Sequence, residues 1–549
     1  MSAAVTSTLY RHGAIYSSAE PFAEALVVSD GIVAWLGADT AADGLRDSVD
    51  EVVDLEGALV APAFVDAHVH LLETGLALRG VNLSADGGVR SAETLLEAVA
   101  RAAAANPGAP VLGHGWDEAD WPDKRLPTRQ ELDHAGSGAE VYLSRVDVHC
   151  AMVSTSLAQR SGLRDLEGWS DSGRVERDAH HAARDATRAL PLLQREELYR
   201  IALREATARG IAGVHEMSAP HLDSREGLAM LLELSAAPES RLPHVVGFRG
   251  ELVEDADAAR ALLAEIPGLA GIGGDLDVDG SLGSRTAALR EAYSDLPSGV
   301  GPDDGYLYLD AEQIAAHVVA VARAGAVPAF HVIGDRAMDE VVLGLRAAAN
   351  IMGLPELRAI GVRLEHASMI DAPTLASLVL HGVTMSMQPA FDAAWGGAGG
   401  MYAERLGIGR ATALHAFADM ITAGIPVAFG SDSPVTSINA WAGVRAAMFH
   451  HEEHQRVSAR AAFRAHSRGG WRLARLDANG AGELMTGAPA TLAIWAAGEL
   501  VVQSPDGRIS AWSTDPRSGT PQLPLIDPDG PDPVCRRTLR DGAVLHDAW

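Results

Sequence analysis

Short apolar runs alternate with amphipathic stretches through most of this chain, and the alternation predicts parallel strands connected by helices. Ser91 is suited to cap a helix over 93–105, and Asp310 opens a helix over 311–324 that Gly325 ends. The predicted strands lie at 60–70, 141–145, 211–215, 245–248, 276–279, 327–331, 362–366, 383–388 and 427–432. Strands of this number and spacing predict a (β/α)₈ barrel with additional segments.

The two ends of the chain show a different pattern, in which short apolar strands are separated by glycine turns. These strands are predicted at 9–16, 25–28 and 32–37, and again at 490–495, 536–539 and 541–545. Both ends are therefore expected to be rich in β-structure and to pack together. The predicted division is 1–59 and 481–549 for the ends and 60–480 for the barrel.

Composition narrows the class of protein. The 549 residues carry a formal net charge of −29, which argues against nucleic acid and anionic membrane surfaces as partners. The first residues lack a basic region followed by an apolar core, and no apolar run is long enough to span a membrane. Cys150 and Cys535 offer no disulfide framework and fit a reducing compartment. We therefore expect a cytoplasmic enzyme with one large domain and a smaller one.

Metal-capable or acid–base residues stand at the ends of several predicted strands, in chain order. His68 and His70 are two apart at the end of the first strand, so both side chains point to the same face. His331, His366 and Asp432 end later strands. Because the carboxyl ends of all strands in a parallel barrel open onto one face, these five residues are expected to converge into a site.

Five motifs carry a resemblance to a known family. They are Asp66-Ala67-His68-Val69-His70, the run from Asp279-Gly280-Ser281 to Ala287, His331-Val332-Ile333-Gly334-Asp335-Arg336-Ala337, Glu365-His366-Ala367 and Gly430-Ser431-Asp432-Ser433-Pro434. The chain resembles the amidohydrolase superfamily over nearly its whole length, in the branch typified by N-substituted formamide deformylase. The resemblance implies a metal-bearing TIM-like barrel flanked by a small β-sandwich assembled from both chain ends.

The same resemblance implies the chemistry of the site. His68 and His70 would bind the first metal, His331 and His366 would be ligands from later strands, and Asp432 would be both ligand and general base. Imidazole suits Zn²⁺, so a divalent metal, preferably zinc, is expected as one or two ions. The implied reaction is hydrolysis of a non-peptide carbon–nitrogen bond in a small amide, N-substituted formamide or cyclic amide, by metal-activated water. A homodimer is consistent with this interpretation.

The chain departs from a common family pattern in its lysines. Many relatives use a carboxylated lysine to bridge two metals, and in this branch a lysine often lies four residues before the Asp-Gly of the Asp279 motif. Asp275 occupies that position here, and Lys124, the chain's one lysine, lies in a proline-bounded loop. Two alternatives follow: Asp275 supplies a bridging carboxylate, or the site holds one metal, which we favour because an aspartate is shorter. A capping or solvated Asp275 is the structural alternative.

Further residues are candidates for substrate binding. The turn from Asp279 to Arg285 offers backbone amides for a carbonyl or carboxylate, with Arg285 as a clamp, although a purely structural turn explains it equally well. His114, Trp116, His149 and His215 are candidates for the pocket mouth, with core or surface roles as the alternative. An apolar substrate wall is predicted from four aromatic residues: Phe391, Trp395, Tyr402 and Trp441.

Two rival functions are weighed against the barrel hydrolase. The segment from His450 to His454 matches the H-x-x-E-H pattern of inverted zinc peptidases, with both outer histidines on one helical face. The alternative is a charged, solvated helix. The second rival is a non-catalytic regulator that keeps the barrel but has lost its chemistry, a hypothesis that the missing lysine motivates.

Overall fold

Eight parallel strands form the centre of the computed structural model, which describes residues 7–119, 121–237, 239–296, 303–503, 512–513 and 519–549. Each strand pairs with the next in chain order. We number them β1 to β8: Phe64–Val69, Ile211–Ser218, His244–Arg249, Gly271–Ile272, Val327–Val332, Arg363–His366, Thr384–Met387 and Val427–Phe429. The protein is therefore an α/β barrel of the TIM type, as the sequence predicts.

The barrel is closed by contacts between β1 and the segment that follows β8. The Asp66 carboxylate accepts hydrogen bonds from the backbone amides of His68 and Ser431, at 3.2 and 2.8 Å. The Asp432 amide donates to the His68 carbonyl at 2.8 Å. Gly430 permits this approach, because a Cβ there would lie 2.4 Å from the His68 amide nitrogen. The first and last strands are thereby held together beside the two histidines.

Helices follow the strands and cover the outside of the barrel. Ser91 caps the helix Ala92–Ala105 and Asp310 caps Ala311–Arg323, which confirms both predicted helix starts. No helix among the described residues is long and apolar enough to cross a membrane. The main helices that follow β1 to β8 are Leu71–Arg79, Arg177–Arg188, Leu192–Ala208, Arg225–Ala236, Ala256–Glu265, Ala311–Arg323, Asp335–Met352, Leu354–Ile360, Ala372–His381, Pro389–Trp395, Met401–Leu406, Phe417–Thr422, Ala440–Met448, Ala459–Ala465 and Arg468–Leu473.

Two of the predicted barrel strands are placed differently by the structure. The strand Val141–Arg145 forms, but it belongs to a separate five-stranded sheet between β1 and β2. Buried residues of that sheet form a hydrophobic cluster of their own, so the sheet is not part of the barrel. Its strands are Arg174–Glu176, Cys150–Val153, Val141–Arg145, Val111–Trp116 and Val81–Asn82. The strand predicted at 276–279 is wrong, because pairing in that segment is limited to isolated bridges such as Asp277 with His331, and β4 precedes it at Gly271–Ile272.

Strands from both chain ends share one sheet. Its order is Ala14–Ile15, Leu59–Pro62, Leu492–Ala496, Val534–Arg540 and Ala543–Asp547. A second sheet consists of Ile32–Gly37, Ala25–Ser29, Ser7–Arg11 and Glu51–Asp54. Side chains of both sheets, such as Leu26 and Ile494, share one buried cluster. The two ends therefore share one sheet and one buried cluster, and the strand Leu59–Pro62 spans residue 60.

The Gly-rich turn after β4 is organised by the Asp279 carboxylate. This fully buried group accepts three backbone amides, from Ala288, Ile333 and Gly334, at 2.8, 2.9 and 2.7 Å. A Cβ at Gly334 would lie 2.0 Å from the Ala288 carbonyl oxygen, so only glycine fits there. Asp279 thus fastens the long β4 loop to the end of β5.

Replacement of Asp279 by alanine should destabilise the protein strongly, because three buried amides would lose their acceptor. One unsatisfied buried group costs about 1–3 kcal/mol, so we expect a loss of roughly 3 kcal/mol or more in unfolding free energy. The control is Asp310→Ala, which removes only an exposed helix cap worth about 1 kcal/mol. Thermal unfolding compares them, and equal shifts would contradict the role given to Asp279.

Candidate metal centre

His68 and His70 project from the end of β1 into a buried cluster at the carboxyl end of the barrel. The His68 imidazole is fully buried and that of His70 is 4% exposed. Their ring centroids lie 5.2 Å apart. The i, i+2 spacing thus places both imidazoles on the barrel side of the strand, as predicted.

Two carboxylates complete the approach to these histidines. The Asp432 Oδ1 atom lies 3.4 Å from His68 Nε2 and 3.1 Å from His70 Nε2. Asp275 approaches the same nitrogens, with Oδ1 at 3.4 Å from His68 and Oδ2 at 3.1 Å from His70. Asp275 is therefore at the site and is not a solvated turn residue.

The later histidines reach the same cluster. The His366 ring centroid lies 4.9 Å from that of His68 and 4.5 Å from that of His331. The chain turns sharply at two of these strand ends, where His366 and Asp432 have φ angles of 65° and 55°. Left-handed backbone at non-glycine residues costs of order 1–3 kcal/mol and persists only where surrounding structure enforces it. Here the turns direct both side chains to the common centre.

The donor atoms of the cluster fit a divalent metal. Four buried atoms have no hydrogen-bond partner among the described residues: His68 Nε2, Asp275 Oδ1, His331 Nδ1 and Asp432 Oδ1. Two groups have ligand atoms close enough to share an ion: His68 with His70 and Asp432, and His68 with Asp275 and His366. Buried polar atoms without partners are costly, and mixed imidazole and carboxylate donors are typical of zinc sites. A metal ion would satisfy them.

The opposite nitrogen of each of three imidazoles is held by a hydrogen bond. His68 Nδ1 lies 2.9 Å from Glu365 Oε2, and His70 Nδ1 lies 2.9 Å from the Met217 carbonyl. His366 Nδ1 lies 2.7 Å from the Gln388 side-chain oxygen. Each acceptor holds hydrogen on Nδ1, so a metal that replaces the proton on Nε2 would find the lone pair of that atom directed to the cluster.

Beneath the cluster, Arg363 and Glu365 form an ion pair in which both side chains are fully buried. Arg363 Nε donates to Glu365 Oε1 at 2.5 Å, and Nη1 faces His215 Nδ1 at 2.7 Å. Burial would raise the pKa of Glu365, but Arg363 and the His68 hydrogen bond outweigh it and lower that pKa to about 2. Glu365 is therefore ionised and presents a full negative charge to His68.

The carboxylates at the centre and the histidines facing them favour each other's charged forms. Burial would raise the pKa of Asp432, yet His68 and His70 outweigh it and hold that pKa below its ordinary value. The same histidines lower the pKa of Asp275 against its burial. Burial lowers the pKa of His70, but Asp275 and Asp432 outweigh burial and raise it well above the ordinary value. Both acids are thus ionised at the centre.

A cavity of about 650 Å³ opens from this cluster. His70, Asp275, His331, His366 and Asp432 line it. One wall is apolar and includes the predicted aromatic residues Phe391, Trp395 and Tyr402. Trp441 is instead packed in the core, 5.1 Å from Phe64 and 5.4 Å from Trp495 between ring centroids.

The structure brings one of the five predicted substrate-binding residues to this cavity. His149 lines it, with its ring centroid 5.9 Å from that of His331. Arg285 is paired with Asp295, and Trp116 is fully buried with its indole NH donating to the Leu143 carbonyl. His114 faces the Pro434 carbonyl in a separate small cavity, and His215 lies beneath the cluster against Arg363.

The peptidase-like segment does not form the helix that its pattern suggests. The preceding helix ends at Met448, and a short 3₁₀ turn spans Glu453–Gln455. His450 is buried with Nε2 3.5 Å from Asp392, whereas the His454 side chain is 66% exposed. The two outer histidines therefore do not share a helical face. The solvated-helix alternative also fails, since the helix is absent.

Lys124 does not reach the cluster of candidate ligands. Its ammonium pairs with Glu404 on the surface at 2.8 Å.

Comparison with known proteins finds similar chains and similar structures. A family model described as "Amidohydrolase family" matches residues 51–546. The putative amidohydrolase YtcJ of Bacillus subtilis is 25% identical over 470 residues, covering 81% of this chain and 84% of that protein. The N-substituted formamide deformylase of Arthrobacter pascens is 30% identical over 159 residues, 28% of this chain and 29% of the deformylase. A crystal structure of an uncharacterized metal-dependent hydrolase from Pyrococcus horikoshii OT3 has 25% identity and a TM-score of 0.70, covering 89% of this chain and 97% of that one.

Gln388→Leu should weaken metal binding without removing a proposed ligand. His366 Nδ1 would lose its acceptor, and loss of such support costs about 10–100-fold in metal affinity. The affinity is measured by chelator competition with zinc. Gln455→Leu is the matched control, since Gln455 is also buried but accepts only from amides at Ala418 and Asp419. Equal metal affinity in the two variants would exclude the supporting role.

Replacement of both His450 and His454 by alanine should leave the bound metal unchanged. Neither residue belongs to the candidate ligand groups. Elemental analysis of the folded double variant measures metal per chain. Loss of metal in that variant would instead restore the peptidase hypothesis.

Proposed function

This chain belongs to the amidohydrolase family and is an amidohydrolase enzyme, and we propose that it hydrolyses a non-peptide carbon–nitrogen bond in a small amide, N-substituted formamide or cyclic amide. The observation that carries the proposal is the convergence of His68, His70, His366, Asp275 and Asp432, of which all but His68 line one cavity. The partial match to the formamide deformylase supports the formamide among these substrates.

The residues that would hold the metal are His68, His70, Asp275, His366 and Asp432, with His331 beside them. A divalent ion, with zinc favoured by the imidazoles, would polarise the substrate carbonyl and acidify water. We propose one tightly held ion. Both candidate groups include His68, whose Nε2 faces both Asp275 and Asp432. A single nitrogen lone pair binds one ion, so the groups describe overlapping parts of one site. The Nδ1 atom of His68 is engaged by Glu365.

Asp432 is the proposed general base. Its lowered pKa keeps the carboxylate ionised in neutral solution, and it lines the cavity where substrate enters. In the proposed reaction Asp432 accepts a proton from the attacking water and then returns it to the leaving nitrogen. The apolar wall from Phe391 to Tyr402 would hold the organic part of the substrate and exclude bulk water.

The proposal predicts that a chelator abolishes turnover and that zinc restores it. Asp432→Asn should lower kcat/KM by about 100-fold or more, because general acid–base catalysis contributes about 10²–10⁴-fold. Activity is measured on a panel of simple amides, N-benzylformamide and cyclic amides. Asp339→Asn, on the exposed pair with Arg290, is the matched control and should keep full activity.

Two outcomes would contradict the mechanism. Turnover that survives complete metal removal would exclude the metal-dependent reaction. Bound metal without turnover on any member of the panel would instead favour the non-catalytic regulator.

A further inference from the structure

Three arginines line the cavity, and two of them are neutralised by carboxylates. Arg145 contacts Asp117, Glu118 and Asp147 at 2.7, 2.9 and 3.0 Å. Arg177 pairs with Glu167 and stacks over the Tyr306 ring at 5.2 Å. The third, Arg184, lies on the helix Arg177–Arg188, about two turns beyond Arg177.

The Arg184 guanidinium has no partner among the residues that the structure describes. The residue is only 7% exposed, and its Nε and Nη2 atoms are buried without a hydrogen-bond acceptor. A buried charge is normally paired, since removing it from water without compensation is expensive. The remaining surface of this side chain faces the cavity. An acceptor that enters the cavity would contact the accessible part of the guanidinium and compensate its buried charge.

The carboxylates around Arg184 are already engaged elsewhere. Glu73 is held by two nitrogens of Arg188. Asp147 accepts from the Ser281 and Ser284 hydroxyls in addition to its Arg145 contact. Asp185 faces His221 Nδ1 at 2.9 Å.

Asp277 also lines the cavity together with Arg184. Its side chain is 43% exposed and its nearest charged neighbour is His331 Nδ1 at 3.7 Å. No hydrogen bond or ion pair joins Asp277 to Arg184 in the described structure. Asp277 therefore leaves the donors of Arg184 free.

Neutral imidazoles surround the free guanidinium. Burial, reinforced by the nearby Arg184 charge, lowers the pKa of His180 well below its ordinary value. Burial lowers the pKa of His181 to about 4 and also lowers that of His149. All three line the same cavity, so they can donate hydrogen bonds to an anion without a second full charge.

We propose that Arg184 is the specificity-determining residue of this cavity and that it binds a carboxylate on the substrate. The inference rests on the proposed function and defines its substrate class: an amide-type compound with an anionic end and an aromatic or bulky apolar part. A single negative charge fits best, because Asp275, Asp277 and Asp432 line the same space. Phe391, Trp395 and Tyr402 supply the surface for the apolar part.

Binding of 3-phenylpropanoate and 3-phenylpropan-1-ol to the zinc-loaded protein tests this directly. Neither probe contains a bond that the enzyme would hydrolyse, so the test does not depend on turnover. We expect the carboxylate to bind about 10–100-fold more tightly than the alcohol, as charged hydrogen bonds provide. Calorimetry measures both dissociation constants. Equal affinities for the two probes would overturn the proposal.

Three variants assign the preference to Arg184. Arg184→Gln should abolish the preference for the carboxylate probe, because only the binding of that probe is weakened. Arg177→Gln makes the same charge change in the same cavity and should retain the preference. Arg184→Lys should reduce it, because lysine keeps the charge but loses the planar fork. An unchanged preference in Arg184→Gln overturns the proposal. If Arg184→Gln does not fold, as the absence of a cooperative unfolding transition would show, an unchanged preference in Arg184→Lys overturns the proposal instead.

Hydrolysis of N-formylphenylalanine and its carboxamide separates this inference from the proposed function. Turnover of both at equal kcat/KM supports the hydrolase and overturns the role of Arg184. Turnover of neither, with the probe preference intact, counts against the proposed formamide reaction and leaves the carboxylate site supported.

Discussion

The candidate metal centre depends on one buried ion pair. Arg363 and Glu365 lie two residues apart on β6, so their side chains share a face and meet inside the barrel. Glu365 then fixes the His68 imidazole, and Arg363 contacts His215 on β2 and the Ala67 carbonyl on β1. A single guanidinium thus connects three barrel strands at one level. Both charges are fully buried, so loss of either partner would leave the other uncompensated, at about 3–5 kcal/mol.

The buried layer formed by Arg363 and Glu365 is the floor of the site. The outer part of the site is built differently. Segments outside the regular barrel supply most of the cavity walls: the β4 loop fastened by Asp279, the helices after β7, and the Arg177–Arg188 helix that follows the side sheet. The floor fixes which bond-breaking chemistry is available. The walls determine which molecule reaches it, which is the usual division of labour in barrels of this type.

The sequence predicted the barrel and the residues that meet at its carboxyl end more completely than the walls of the cavity. His68, His366 and Asp432 could be identified because strand ends in a parallel barrel converge whatever their separation in the chain. The strand Val141–Arg145 was wrongly predicted to belong to the barrel, because a strand of a side sheet has the same apolar pattern as a barrel strand. Glu365 could be identified only as the neighbour of His366 in its motif. Strand alternation predicts that its side chain points to the face opposite that of His366. Arg184 had no signal at all, because its importance lies in the absence of a partner, which only the folded arrangement reveals.

Closure of the barrel has a consequence for how the protein is made. Asp66 and Ser431 hydrogen-bond across 365 positions of the chain, and that contact holds Asp432 against His68. A ribosome releases the chain from its amino end, so the two histidines emerge long before the carboxylate that completes their donor set. The nascent protein therefore has only a partial site during most of its synthesis. The complete donor set proposed for the metal is consequently available only after Asp432 has joined the chain, late in synthesis.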